Sequence, residues 1–130
     1  MKTNVLVEFY ELMNKREVDA ALALCHPDLH YTERSLKNHY VGADRLGDLT
    51  RRSFEAIPTL AWQVMDTVAD GDRAAVEMKM TGQLERPIVG HEPTGKPFVF
   101  YYAVFANLRD GKIAAMDLYS DPTQLEKDPE

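Results

Sequence analysis

The chain has 130 residues, about one domain's worth. With 45% hydrophobic and 28% charged residues it can bury a core without disulfide or metal staples. A net charge of −6, with no basic run longer than a pair such as Arg51-Arg52, would repel a phosphate backbone and argues against nucleic acid as a partner. The single cysteine, Cys25, excludes an internal disulfide, and no apolar run approaches the ~20 residues of a membrane span.

The first predicted element is a helix from about Thr3 to Lys15. Val5, Phe9, Leu12 and Met13 form its apolar stripe, and Thr3 is a candidate N-cap. Glu8 and Glu11 fall where a signal peptide needs an unbroken apolar stretch, so the expected location is cytoplasmic. A short second helix runs from Glu17 to Cys25 and is ended by Pro27. Asp28 to Glu33 alternates as a strand, with Leu29, Tyr31 and Glu33 on one face and His30 and Thr32 on the other.

A third helix fits Ala43 to Ile57, closed by Pro58. Four strands follow: Leu60 to Val68, Ala74 to Leu84, Phe98 to Leu108 and Ile113 to Tyr119. Asp70-Gly71-Asp72 and Arg109-Asp110-Gly111-Lys112 supply tight turns, and residues 90–97 are rich in turn formers. The tail from Asp121 is expected to fray. Helices first and an antiparallel meander after them indicate an α+β fold in one domain, residues 1–130, with the helices on one face of the sheet.

Several stretches carry a family resemblance. They are Phe9-Tyr10, Pro27-Asp28, Ala56-Ile57-Pro58-Thr59-Leu60, Pro93-Thr94-Gly95-Lys96-Pro97, Arg109-Asp110-Gly111-Lys112-Ile113 and Asp121. Over nearly its whole length the chain resembles the nuclear transport factor 2-like superfamily, and within it the SnoaL-like polyketide cyclases and their ketosteroid isomerase relatives. The resemblance implies a cone-shaped curved antiparallel sheet wrapped around N-terminal helices, with a pocket for a small hydrophobic ligand inside. It also implies a homodimer through the convex face of the sheet. The strand after Lys96 agrees, being apolar on both sides: Val99, Tyr101, Ala103 and Phe105 on one, Phe98, Phe100, Tyr102 and Val104 on the other. The expected dimer face carries Phe98, Phe100 and Tyr102.

Strict alternation then assigns Tyr31, Met78, Met80, Tyr101, Ala103, Met116 and Leu118 to the pocket, with Trp62 beside them. Glu33 shares the face of Leu29 and Tyr31, where burial of a carboxylate would make it a stronger base. The resemblance places Glu33 at the general base of ketosteroid isomerase and Tyr10 at its oxyanion-binding tyrosine. The second oxyanion donor of that family falls on Ala103, which cannot donate. The cyclase branch implies an acid/base aspartate at Asp121, with Asp117 as the other candidate; alternation turns both outward, so Asp121 would need a bulge to reach the pocket.

His26, His30, His39 and His91 show no metal-ligand spacing; Pro27 interrupts the first pair. His91 lies in the turn segment, a candidate for the pocket mouth. No cofactor is implied. Two functions remain open: a cofactor-free acid/base enzyme on a small hydrophobic carbonyl compound, or a non-catalytic ligand-binding or dimeric interaction module of the same fold.

Overall fold

A computed structural model describes residues 4–85 and 96–126. Thr3, His91 and the Pro93-Thr94-Gly95 motif lie outside the described residues. Three helices, α1 (Val5–Asn14), α2 (Val18–Leu22) and α3 (Ala43–Ala56), pack on a mixed sheet of six strands. The strands are β1 (Cys25–Glu33), β2 (Asn38–Val41), β3 (Ala61–Asp70), β4 (Arg73–Gln83), β5 (Pro97–Arg109) and β6 (Lys112–Ser120). Their order across the sheet is β2-β1-β6-β5-β4-β3. All neighbours are antiparallel except β1 and β6, which run parallel. The sheet is curved and unclosed, with β2 and β3 as its edges.

Asparagines at both ends of α1 fix the helix on the sheet. Asn4, at the N-cap, accepts from the Leu6 amide at 2.9 Å and donates to the carbonyl of Val68 at 3.3 Å. Asn14 donates to the Trp62 carbonyl and accepts from the Trp62 amide, both at 2.8 Å. Leu6, Phe9, Tyr10 and Met13 are thereby pressed into the core against Leu29, Val76, Met78, Val104, Ile113 and Met116. Gly82 allows the end of α3 to cross β4 closely, since a Cβ there would stand 2.5 Å from Cγ2 of Ile57.

β5 departs from the expected orientation. Phe98, Phe100, Tyr102 and Val104 face the helices, and Tyr101 and Ala103 face outward, the reverse of the sequence reading. The cause is a bulge in β6. An unbroken hairpin from the Arg109–Lys112 pair would set Met116 opposite Phe105 and Leu118 opposite Ala103. Ala114 is instead an extra residue, so Met116 pairs with Ala106 and Leu118 with Val104. One inserted residue exchanges the faces of an entire strand. The β4 register agrees, with Met78 opposite Tyr102 and Met80 opposite Phe100.

Two smaller differences follow local chemistry. Cys25 opens β1 rather than closing α2. Pro122–Glu126 forms a 3-10 turn where a frayed tail is expected. There Asp121 accepts from the Thr123 amide at 3.0 Å and the Thr123 hydroxyl at 2.6 Å.

Candidate active site

Among the described residues, the concave face of the sheet is fully buried at one end and half-buried at the other. At the sealed end Leu29, Ala74, Val76, Val104, Ala106 and Ile113 are all buried. Toward the other end the inward side chains become half-buried: Tyr31, Glu33, Trp62, Met80, Phe98, Phe100 and Leu118. The change follows the strands. The inward rows of β1 and β6 lose cover toward their C-terminal ends and that of β5 toward its N-terminal end, while in β4 Met80 is half-buried and Gly82 is covered by Ile57.

The floor of this half-buried end is phenolic. Tyr10, from α1, is 4% exposed, and Tyr102, from the middle of β5, is 8% exposed. Their hydroxyls are hydrogen-bonded at 3.3 Å, with Tyr102 donating. This leaves the Tyr10 proton available to a third oxygen. Tyr10 packs on Trp62 at 5.8 Å between ring centroids, and Trp62 packs edge-on to Phe54 at 5.8 Å. Tyr31 stacks at a tilt on Tyr40 of β2 at 6.2 Å.

All three inward phenols are hard to ionise. Burial pushes Tyr10 well above the usual tyrosine value, and the neighbouring Tyr102 adds to it. Burial does the same for Tyr102, reinforced by Tyr31 and partly offset by the Trp62 hydrogen bond. Tyr31 is raised by burial first, then by Tyr10, Glu33 and Tyr40. At neutral pH the floor is therefore a set of uncharged O–H donors.

Glu33 ends β1 at the rim, in register with Leu118 on one side and Asn38 on the other. Its Oε1 accepts from Nδ2 of the Asn38 side chain at 3.3 Å. The neighbouring cation Arg34 is engaged by Asp117 at 2.8 Å. Asp117 lies on the outer face of β6, opposite Phe105, and not in the concavity. Asp121 is exposed and folded back on Thr123. Neither aspartate is brought to the phenols.

Of the residues assigned from sequence, Tyr10, Tyr31, Glu33, Trp62, Met78, Met80, Met116 and Leu118 stand on the concave side. Tyr101 and Ala103 do not; Lys79 lies 6.0 Å over the outward Tyr101 ring. Tyr102, expected on the convex face, is the residue that sequence reasoning missed. Its signal was its pairing across the hairpin with Met78, which requires the register of β4 and β5. With Ala103 outward, the inner position of that strand belongs to a phenol rather than a methyl.

A separate open hollow of about 480 Å³ lies on the helical side, lined by Arg16, Val18, Asp19, Arg51, Phe54 and Pro58. Its arginines are committed to structure. Arg51 pairs with Asp19 at 2.6 Å, and Arg16 donates to the carbonyls of Leu60 and Pro58 at 2.7 and 3.0 Å. Among the described residues no helix is long and apolar enough to cross a membrane, and no group of three or more His, Cys, Asp or Glu could hold a metal ion.

The fold recurs in solved structures. TsrD from Streptomyces laurentii superposes with a TM-score of 0.82 at 22% identity, covering 94% of this chain and 89% of that one. A candidate polyketide cyclase from Pseudomonas putida KT2440 gives 0.79 at 23% identity, with 93% and 92% covered. A protein of ketosteroid isomerase-like fold from Catenulispora acidiphila DSM 44928, solved with trimethylamine, gives 0.79 at 14% identity, with 95% and 90% covered. No functionally curated protein matches the sequence. The model of the SnoaL-like domain matches residues 6–116, and the chain belongs to that family.

Proposed function

We propose that the half-buried end of the concave face binds a small, largely apolar carbonyl compound and enolises it without a cofactor, as an isomerase or cyclase does. The observation that carries this reading is the Tyr10–Tyr102 hydroxyl pair, un-ionised and buried in an aromatic floor on the same face as Glu33. In the step, the Glu33 carboxylate takes the proton from the carbon beside the carbonyl. The C–H electron pair forms the new C=C bond, and the carbonyl oxygen takes the negative charge. Tyr10 donates to that oxygen, backed by Tyr102. Return of the proton to another carbon completes an isomerisation; attack of the enolate on a second carbonyl closes a ring.

The test is hydrogen–deuterium exchange beside the carbonyl of an enolisable ketone. Glu33→Gln should abolish it, and Tyr10→Phe should slow it by about 10²–10³-fold. Equal rates in wild type and Glu33→Gln would remove Glu33 as the base. A second reading, a ligand-binding module without chemistry, is favoured by one observation: Glu33 accepts from the Asn38 side chain rather than from a phenol.

The proposal includes a homodimer through the outer face of β4, β5 and β6, now with different contact residues. Phe105 and Tyr119 pack edge-on at 5.7 Å and remain 44% and 49% exposed. The smaller Ala75 and Ala103 are their respective register partners, and Glu77 and Lys79 bring both signs of charge to the same face. Such a knob beside small residues suits a second copy turned by a two-fold axis. Sedimentation should find the dimer and lose it in Phe105→Glu. The single thiol, Cys25, is buried and pushed up to about 12, which makes it unreactive and leaves it out of this function.

A further inference from the structure

The outer face of the β1–β2 ladder brings together two histidines nine positions apart. His30 pairs with Val41 and Thr32 with His39, so the two imidazoles are diagonal neighbours across adjacent strands. Nδ1 of His30 and Nε2 of His39 lie 3.2 Å apart, and both side chains are exposed. The remaining nitrogen of His39, Nδ1, is 2.9 Å from the hydroxyl of Thr32.

We propose that His30 and His39 form a two-point site for a borderline divalent cation, with Zn²⁺ as the best fit. The bite is right. Two nitrogens bound to tetrahedral zinc at 2.0–2.1 Å stand about 3.3 Å apart, against 3.2 Å between these two. One tautomer of His39 suits the site as well. When His39 gives its Nδ1 proton to Thr32, its Nε2 lone pair is turned to the shared point, as outer-shell partners of ligating histidines commonly arrange. Without metal, one proton between Nδ1 of His30 and Nε2 of His39 holds the pair together; the cation takes that proton's place. Both ligands stand on paired strands rather than on loops, so little ordering is needed on binding.

The other charged groups on this face do not close the site. Asp117 lies opposite Thr32 in the sheet, but Arg34 holds its carboxylate at 2.8 Å. Two protein nitrogens with solvent completing the shell make an exchangeable site rather than a permanent structural one. Its position matters. The opposite face of the same ladder carries the Tyr31–Tyr40 stack and the Glu33–Asn38 hydrogen bond. A cation joining His30 to His39 ties β2, a four-residue edge strand, to β1 behind the rim of the candidate active site.

The test is titration of the full chain with zinc chloride by calorimetry, with circular dichroism confirming that each variant is folded. Wild type and His26→Asn should bind one zinc per chain. His30→Asn and His39→Asn should each abolish that event, and Thr32→Val should weaken it by about 10-fold or more. Absence of binding in wild type, its loss in His26→Asn, or its survival in the double variant H30N/H39N would overturn the proposal. These outcomes are independent of enolisation activity.

Discussion

Tyr102 reaches across 92 positions of sequence to donate its hydroxyl proton to Tyr10 at 3.3 Å, joining the sheet to the first helix at the floor of the concave face. Removing the donor separates its two effects. Tyr102→Phe should cost about 1 kcal/mol of stability, the usual net worth of a hydrogen bond. It should also slow exchange beside the carbonyl less than Tyr10→Phe does, because Tyr102 acts through Tyr10. The double variant Y10F/Y102F should be no slower than Tyr10→Phe alone; chemical denaturation and exchange rates check both statements.

The buried phenols predict how stability depends on pH. Their folded-state values lie above the ordinary value of 10.0, chiefly through burial. Their contribution is therefore complete below pH 10, where both states are protonated. It falls as pH rises from about 10 toward the folded values, because the unfolded chain releases its protons first. Each such group subtracts about 1.4 kcal/mol per pH unit in that window. The Cys25 thiol, raised from 9.0 to about 12 by burial, acts with the same sign from about pH 9. Melting temperature should hold steady to pH 9 and then drop, less steeply in Tyr102→Phe, as thermal unfolding across this pH range will read.

The two aspartates give a third expectation. Asp117 is spent on Arg34 at the outer face, and Asp121 turns back on Thr123. Asp117→Asn and Asp121→Asn should leave the exchange rate within about two-fold of wild type. The exposed ion pair of Asp117 should cost less than about 1 kcal/mol when broken. Loss of activity in either variant would return an aspartate to the chemistry and displace Glu33.

The sequence made some features of this protein readable and hid others for a physical reason. Periodicity over α1 and α3 located both helices, because a buried stripe must repeat at the helical spacing. Glu33 and Tyr31 stand on the inward side of β1, as their alternation with Leu29 indicated. The short strand β2 left no signal, since four residues carry almost no periodicity. The faces of β5 were inverted because Ala114 bulges, and nothing about an alanine announces that. That single hidden residue moved Tyr102 into the candidate site and Tyr101 and Ala103 out of it.

Gln124 has an effect beyond its own turn. β6 pairs with β5 only as far as Ser120 opposite Tyr102, so the first part of β5 runs past the end of its neighbour. The Gln124 amide meets that overhang, accepting from the Tyr101 amide and donating to the Tyr101 carbonyl, both at 2.8 Å. Asn14 treats Trp62 on the edge strand β3 in the same way. In each place a carboxamide imitates one rung of a missing strand, so a foreign chain seeking to extend the sheet finds that rung already taken. Guarding these margins leaves the protein a defence against stacking into fibres that its hydrophobic core does not provide.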